Sequence, residues 1–345
     1  MNFLRKILYP LSLLYGLIIT IRNYLYNSGV LKSTTFNTPI IVVGNLSVGG
    51  TGKTPQIEYL IRLLQNEYKV AVLSRGYKRK STGFIIADET VNAEIIGDEP
   101  YQYFKKFSNI IVCVDADRTN GIQQLEALEN APDIILLDDA FQHRKVNAGF
   151  NILLTPYNDL YVDDVMLPTG NLRENKLGAK RAQVIIVTKC PANISKNEQI
   201  KITKKLKPTS NQAIFFTTID YDEELKGSSK INLSDVKNSE VLLLTGIANP
   251  EPLKQYLTNE EIKFNHLKYP DHHHFSKSDI EEIKLEFKNI SSNNKLVLTT
   301  EKDYVRIFAD LQNLEYISIK IKFVVQKASF DKLIKEYVEQ SSRDS

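Results

Sequence analysis

A chain of 345 residues, 42% hydrophobic and 25% charged, is long enough to bury large cores and to form two domains. Its formal net charge of +3 is too small to argue for nucleic acid as a partner. Cys113 and Cys190 are the only cysteines, with no CxxC spacing, which excludes a disulfide framework and a cysteine zinc site and fits a reducing compartment.

The first element is a helix. Residues 7–21 are mostly apolar but carry Pro10, Ser12, Gly16 and Thr20, and the run is shorter than the roughly 20 residues that a spanning helix needs. Asn2, Arg5, Ser12, Gly16, Thr20, Asn23 and Asn27 recur at helical spacing as a polar or small stripe. Leu4, Leu8, Leu11, Tyr15, Ile18 and Leu25 form an apolar one. Arg5, Lys6 and Arg22 flank the run, and Tyr9, Tyr15, Tyr24 and Tyr26 add rings that seek an interface. Residues 1–30 therefore read as an amphipathic helix lying on a membrane surface. The competing reading is the same helix with its apolar stripe packed on the protein core. A signal peptide is disfavoured because no small-residue cleavage site follows.

Next comes an apolar β-branched run, residues 40–43, then Ser47-Val48-Gly49-Gly50-Thr51-Gly52-Lys53-Thr54, then a helix-like segment at 55–65. Strand, glycine-rich loop and helix are the context of a phosphate-binding loop. Glycines let successive N–H groups turn into one concavity, and the helix N-terminus adds its dipole. Lys53 would reach the β- and γ-phosphates of a nucleotide, and the Thr54 hydroxyl would bind Mg²⁺. Ser47 stands where the common pattern has its first glycine, and a small residue fits there if φ is negative.

Further strands are expected at 70–73, 110–114, 134–137, 150–154 and 184–187, and helices at 99–106 and 119–129. This alternation predicts a mostly parallel sheet wrapped by helices, with ligands bound where loops leave the strand carboxyl ends. The run 134–137 ends in Asp138-Asp139, the carboxylates that hold Mg²⁺ directly or through water beside a phosphate loop. Gly97-Asp98-Glu99-Pro100 puts two acids at a helix start, where Asp98 either caps the helix or serves as a general base, and Glu99 is a further candidate for the metal. Gly170-Asn171-Leu172-Arg173 supplies an arginine suited to a bidentate phosphate contact. A second α/β unit begins near 241 and runs through 295–299 to a helix at 330–339. It contains Tyr269-Pro270-Asp271-His272-His273-His274-Phe275. Neighbouring histidines rarely converge on one ion, so a base or proton relay is the better reading of one of them.

With these segments in hand, the chain resembles the tetraacyldisaccharide 4′-kinase family. The resemblance rests on the N-terminal helix, VGNLSVGGTGKTP, SRGY, GDEP, LLDDAFQHR, LPTGNLRE, YPDHHHF and LTTEKD, in family order from about residue 39 to 303. It implies a P-loop NTPase-like sheet domain (31–230), a second, smaller α/β domain (231–345) and the helix at 1–30. It implies ATP on residues 47–54, Mg²⁺ held among Thr54, Asp138, Asp139 and Glu99, and Lys53 and Arg173 on the moving phosphate. It also implies transfer to the 4′-hydroxyl of a lipid A precursor, tetraacyldisaccharide 1-phosphate, by a monomer on the cytoplasmic face of the bacterial inner membrane. Asp98 and His272 match the pair that the family uses on the attacking hydroxyl. Ala140 departs from the glycine that the family often has there.

Two other functions are weighed. A P-loop switch protein that hydrolyses GTP would show Asn-Lys-x-Asp after its strand, whereas Thr188-Lys189-Cys190-Pro191 lacks the Asp. A soluble small-molecule kinase with a merely packed N-terminal helix would not bind anionic vesicles tightly.

Overall fold

The computed structural model describes residues 5, 7–228, 231–271, 273, 275–307, 311 and 314–343. The chain divides into two units, Met1–Ile219 with Ile321–Ser345, and Asp220–Lys320.

The first unit is built on strands β1 (Ile40–Asn45), β2 (Val70–Ser74), β3 (Ile85–Ile86), β4 (Ile111–Val114), β5 (Ile134–Asp138), β6 (Phe150–Pro156), β7 (Val184–Thr188) and β8 (Ala213–Tyr221). They lie in the order β8-β7-β6-β1-β5-β2-β4-β3, with the strand Ile319–Phe323 beyond β8. From β8 to β4 the neighbours pair in parallel, and β3 runs antiparallel to β4. β1 and β5 are buried along their whole length, which is why they read as unbroken apolar runs rather than alternating ones. Ile40, Val42, Ile135 and Leu137 face one apolar layer, with Ile122 and Leu125 of the helix Arg118–Glu126. Ile41, Val43, Ile134 and Leu136 face the other, with Ile57, Leu60 and Ile61 of the helix Lys53–Leu64.

The second unit is a six-stranded sheet. It contains β9 (Glu224–Gly227), β10 (Ile231–Asn232), β11 (Glu240–Thr245), β12 (Phe264–Lys268), β13 (Lys295–Thr300) and β14 (Leu314–Ile317), in the order β10-β9-β14-β13-β11-β12. Four of these pair in parallel, and β9 and β10 add an antiparallel edge.

The division differs from the expected boundaries at three places, the first being the boundary itself, at 219/220 rather than 230/231. The helix Lys327–Arg343 was expected in the second unit, but it closes a face of the first. Phe330, Ile334 and Val338, one helical turn apart, sit fully buried in the layer beneath β1. The N-terminal helix Tyr9–Asn27 is likewise part of the first unit rather than a separate segment.

That helix docks through its polar and small positions. Ser12 Oγ donates to Thr169 Oγ1 (2.7 Å), Tyr15 OH to the Arg173 carbonyl (3.0 Å) and Asn23 Nδ2 to Glu174 Oε1 (2.8 Å). Leu11, Leu14, Leu17, Ile18 and Ile21 are each at least half exposed. Of the stripe expected to be apolar, Leu8, Leu11 and Ile18 are exposed, Tyr15 and Leu25 are half-buried, and Leu4 lies outside the described residues. Tyr15, expected on the apolar stripe, lies on the docked side. Among the described residues, no helix is long and apolar enough to cross a membrane.

Candidate active site

β1 is a central strand, and the chain passes to opposite sides of it through β5 and β6, so the loop after β1 opens where strand order reverses. This loop turns into the helix Lys53–Leu64 through Gly52, whose φ of +90° is the left-handed backbone that glycine adopts without strain. Ser47 is not among the positive-φ residues, so a serine is accommodated at the entry. Two elements hold the loop. On its entering limb, Val48 N donates to the Asn171 carbonyl (2.8 Å) and Arg173 N to the Leu46 carbonyl (2.7 Å). On its far limb, Thr188 Oγ1 donates to the Thr51 carbonyl (2.8 Å) and Lys189 Nζ to the Gly50 carbonyl (2.5 Å). With these carbonyls engaged from outside, the amides at the start of the helix are left for an anion.

Charged groups converge at the loop's mouth. Lys53 Nζ lies 3.4 Å from Asn45 Oδ1 and 3.7 Å from Asp139 Oδ2. Arg173 grips Asp139 with both arms of its guanidinium, Nη2 to Oδ1 at 2.7 Å and Nη1 to Oδ2 at 3.2 Å, and also reaches Asn45 Oδ1 (2.5 Å). Asp139 takes up a positive φ of 47° just past β5. Asp138 is directed differently: its Oδ2 accepts from Ser74 Oγ (3.3 Å) and Tyr103 OH (3.4 Å).

The two carboxylates are pushed apart electrostatically. Burial, with Asp139 and Glu99 adding repulsion, lifts Asp138 to about 6 against the pull of Lys53 and Arg118. Burial acts on Asp139 too, but Lys53 and Arg173 outweigh it and hold that carboxyl below its ordinary value. A raised carboxyl destabilises the fold when ionised, a penalty absent below the unfolded value near 3.8 and complete above about 6. In EDTA at pH 7.5, Asp138→Asn should therefore be more stable than the parent chain, by on the order of 2 kcal/mol. The gain should vanish towards pH 4. Denaturant titrations at the two pH values check this, and a loss of stability at pH 7.5 would contradict the assignment.

Asp98 and Glu99 are brought in by two glycines. Gly97, with a φ of +96°, is the N-cap of the helix Asp98–Lys106, so Asp98 is the first helical residue rather than its cap. A Cβ on Gly97 would stand 3.2 Å from Gly76 Cα, and one on Gly76 would stand 2.8 Å from the Ile96 carbonyl oxygen. The Arg75-Gly76-Tyr77 loop after β2 thus lies against the start of this helix. Glu99 is close enough to Asp138 to raise its carboxyl.

Lys53, Thr54, Asp138, Asp139, Glu99 and Arg173 therefore share one neighbourhood in the first unit. His272 lies outside the described residues. Its neighbour His273 is committed within the second unit, with Nε2 at 3.0 Å from Asp279 Oδ2 and its ring stacked on Tyr269 at 4.9 Å.

Sequence reasoning gave no role to Arg118. It is buried, with Nη2 donating to the Asp138 carbonyl (3.4 Å) and Nη1 to the Asp115 carbonyl (3.1 Å). Burial lowers it to about 10, so it stays charged at neutral pH. Its only signal was its place at a strand end, which any helix start shares.

Among the described residues, no three His, Cys, Asp or Glu side chains form a metal cluster. Asp138, Asp139 and Glu99 thus do not converge as one three-carboxylate ligand set; Mg²⁺ in general keeps several waters and is bound by one or two carboxylates together with substrate phosphates. The donors beside the loop, the Thr54 hydroxyl and the two aspartates, are all oxygens.

A doubly wound parallel sheet with this loop, its lysine and a strand-end aspartate pair defines a P-loop phosphotransferase. The family model for tetraacyldisaccharide-1-P 4′-kinase matches residues 4–339. A tetraacyldisaccharide 4′-kinase of Flavobacterium johnsoniae is 56% identical over 344 residues, with 99% of each chain covered. One from Bacteroides thetaiotaomicron is 42% identical over 362 residues, covering 99% of this chain and 95% of its own. The crystal structure of Aquifex aeolicus LpxK in complex with ATP superposes with a TM-score of 0.78 at 32% identity, covering 97% of this chain and 99% of its own. The chain belongs to the tetraacyldisaccharide-1-P 4′-kinase family.

Proposed function

We propose that this chain carries out its family's reaction with the residues gathered at the phosphate loop. It transfers the γ-phosphoryl group of ATP, with Mg²⁺, to the 4′-hydroxyl of tetraacyldisaccharide 1-phosphate in lipid A biosynthesis. The carrying observation is the convergence of Lys53, Asp139 and Arg173 beside a glycine-rich loop at a helix N-terminus.

Phosphoryl transfer asks for positioning and charge neutralisation more than covalent chemistry. Residues 47–54 wrap the ATP phosphates. Lys53 and Arg173 neutralise charge on the moving group. Thr54, Asp138, Asp139 and Glu99 would hold Mg²⁺, which would supply the remaining positive charge. Asp98, working with His272, orients and deprotonates the 4′-hydroxyl. Isotope transfer tests the reading. Label from γ-labelled ATP should appear in the lipid and depend on it. Release of labelled phosphate alone, at the same rate without lipid, would support a switch NTPase instead.

The membrane surface enters through the helix Tyr9–Asn27, whose exposed leucines and isoleucines face away from the body of the first unit. The protein acts as a monomer at the cytoplasmic face of the inner membrane, where ATP is available and the acceptor stays in the bilayer. Deleting residues 1–26 should weaken binding to anionic vesicles. It should also lower activity on bilayer-embedded acceptor more than on detergent-dispersed acceptor. Equal vesicle binding by the truncated and full-length chains would contradict this role.

A further inference from the structure

Tyr103 is the largest fully buried side chain of the first unit, and its ring sits in the apolar layer with Ile57, Leu60 and Val72. A tyrosine in such a layer costs more than a phenylalanine unless its hydroxyl is used. Here the hydroxyl reaches the site, donating to Asp138 Oδ2 at the end of β5 (3.4 Å), the same oxygen that accepts from Ser74 Oγ (3.3 Å). The helix that carries Tyr103 is fixed in turn. Glu58, also buried, accepts from Gln102 Nε2 (2.9 Å) and pairs with Lys106 Nζ (2.7 Å), tying Asp98–Lys106 to Lys53–Leu64.

We propose that Tyr103 is a positioning residue for the metal side of the site, its hydroxyl holding the Asp138 carboxylate in place. This rests on the reading above that Asp138 flanks Mg²⁺. With Ser74 Oγ, the Tyr103 hydroxyl holds Asp138 Oδ2 from two elements and so fixes the rotamer of that carboxylate. Outer-shell partners of this kind typically change metal affinity 10–100-fold when removed.

Tyr103→Phe keeps the ring in the layer and removes only the hydroxyl. The test is Mn²⁺ binding to the full chain with a non-hydrolysable ATP analogue, followed by electron paramagnetic resonance. Binding of the analogue in EDTA and thermal unfolding are measured alongside. Mn²⁺ affinity should fall about tenfold or more. Analogue binding in EDTA should stay within about twofold and Tm within a few degrees. Unchanged Mn²⁺ affinity would overturn the proposal. So would an equal loss of analogue binding in EDTA, which would mark Tyr103 as a packing residue only. Asp138→Asn separates the role of Asp138 from that of Tyr103. If it leaves Mn²⁺ affinity intact, the metal assignment itself fails. If it weakens Mn²⁺ while Tyr103→Phe does not, only the role of Tyr103 fails.

Discussion

Replacing Lys53 with alanine should lower phosphoryl transfer by at least on the order of 10²-fold while leaving the fold intact. That is the scale seen when a preorganised donor is removed from developing charge. The structure explains why the fold should survive. The Lys53 ammonium contributes nothing to the apolar layers, and its partners are Asn45 Oδ1 at 3.4 Å and Asp139 Oδ2 at 3.7 Å. Both retain Arg173 after the substitution. Asp139 would lose one of the three cations that hold its carboxyl down, Lys53, but keep the bidentate Arg173 and Arg118. Steady-state kinetics with the lipid acceptor, together with circular dichroism, check the two halves. Turnover within a few-fold of the parent chain would refute the phosphate-loop assignment.

The second large effect concerns Asp98 and His272. Asp98→Ala and His272→Ala should each reduce kcat by on the order of 10²- to 10⁴-fold, the range for removing a general base. The double variant should lose little beyond the worse single one, because groups acting as one unit are not additive. Affinity for ATP should change less than kcat, since neither residue lies in the loop 47–54. His273→Ala serves as the control. His273 is already engaged by Asp279 and stacked on Tyr269, so its loss should disturb the second unit rather than proton transfer. Losses that multiply fully in the double variant would mean that the two residues act independently. A damaging His273→Ala beside a mild His272→Ala would shift the role by one position.

The parts that sequence made legible are those with a local physical cause. β1, β5 and β7 are covered on both faces and must be continuously apolar, so residues 40–43, 134–137 and 184–187 announced themselves. The phosphate loop was legible because its glycines, lysine and flanks all point to one structure. The paired aspartates were visible, but their different fates were not. Asp139 is set by Arg173, 34 positions away, and Asp138 by Ser74 and Tyr103, at separations of 64 and 35. The same applies to the helix Lys327–Arg343, whose apolar stripe predicts a helix but not which sheet it covers. On the N-terminal helix, the two stripes were legible. That the polar one faces the protein follows only from Thr169, Arg173 and Glu174, which stand far along the chain to receive it. Sequence also showed Thr188 and Lys189 only as an incomplete base-reading motif, whereas they hold the carbonyls of Thr51 and Gly50.

The central claim is that this phosphate loop delivers a phosphoryl group to one sugar hydroxyl of a lipid acceptor. Phosphorus-31 NMR of the product, correlated to the sugar protons, tests it most directly. Incubation of the chain with MgATP and tetraacyldisaccharide 1-phosphate should give one new phosphomonoester, coupled to the proton on the 4′ carbon. A diphosphate at the 1-position, or inorganic phosphate with the lipid unchanged, would contradict it.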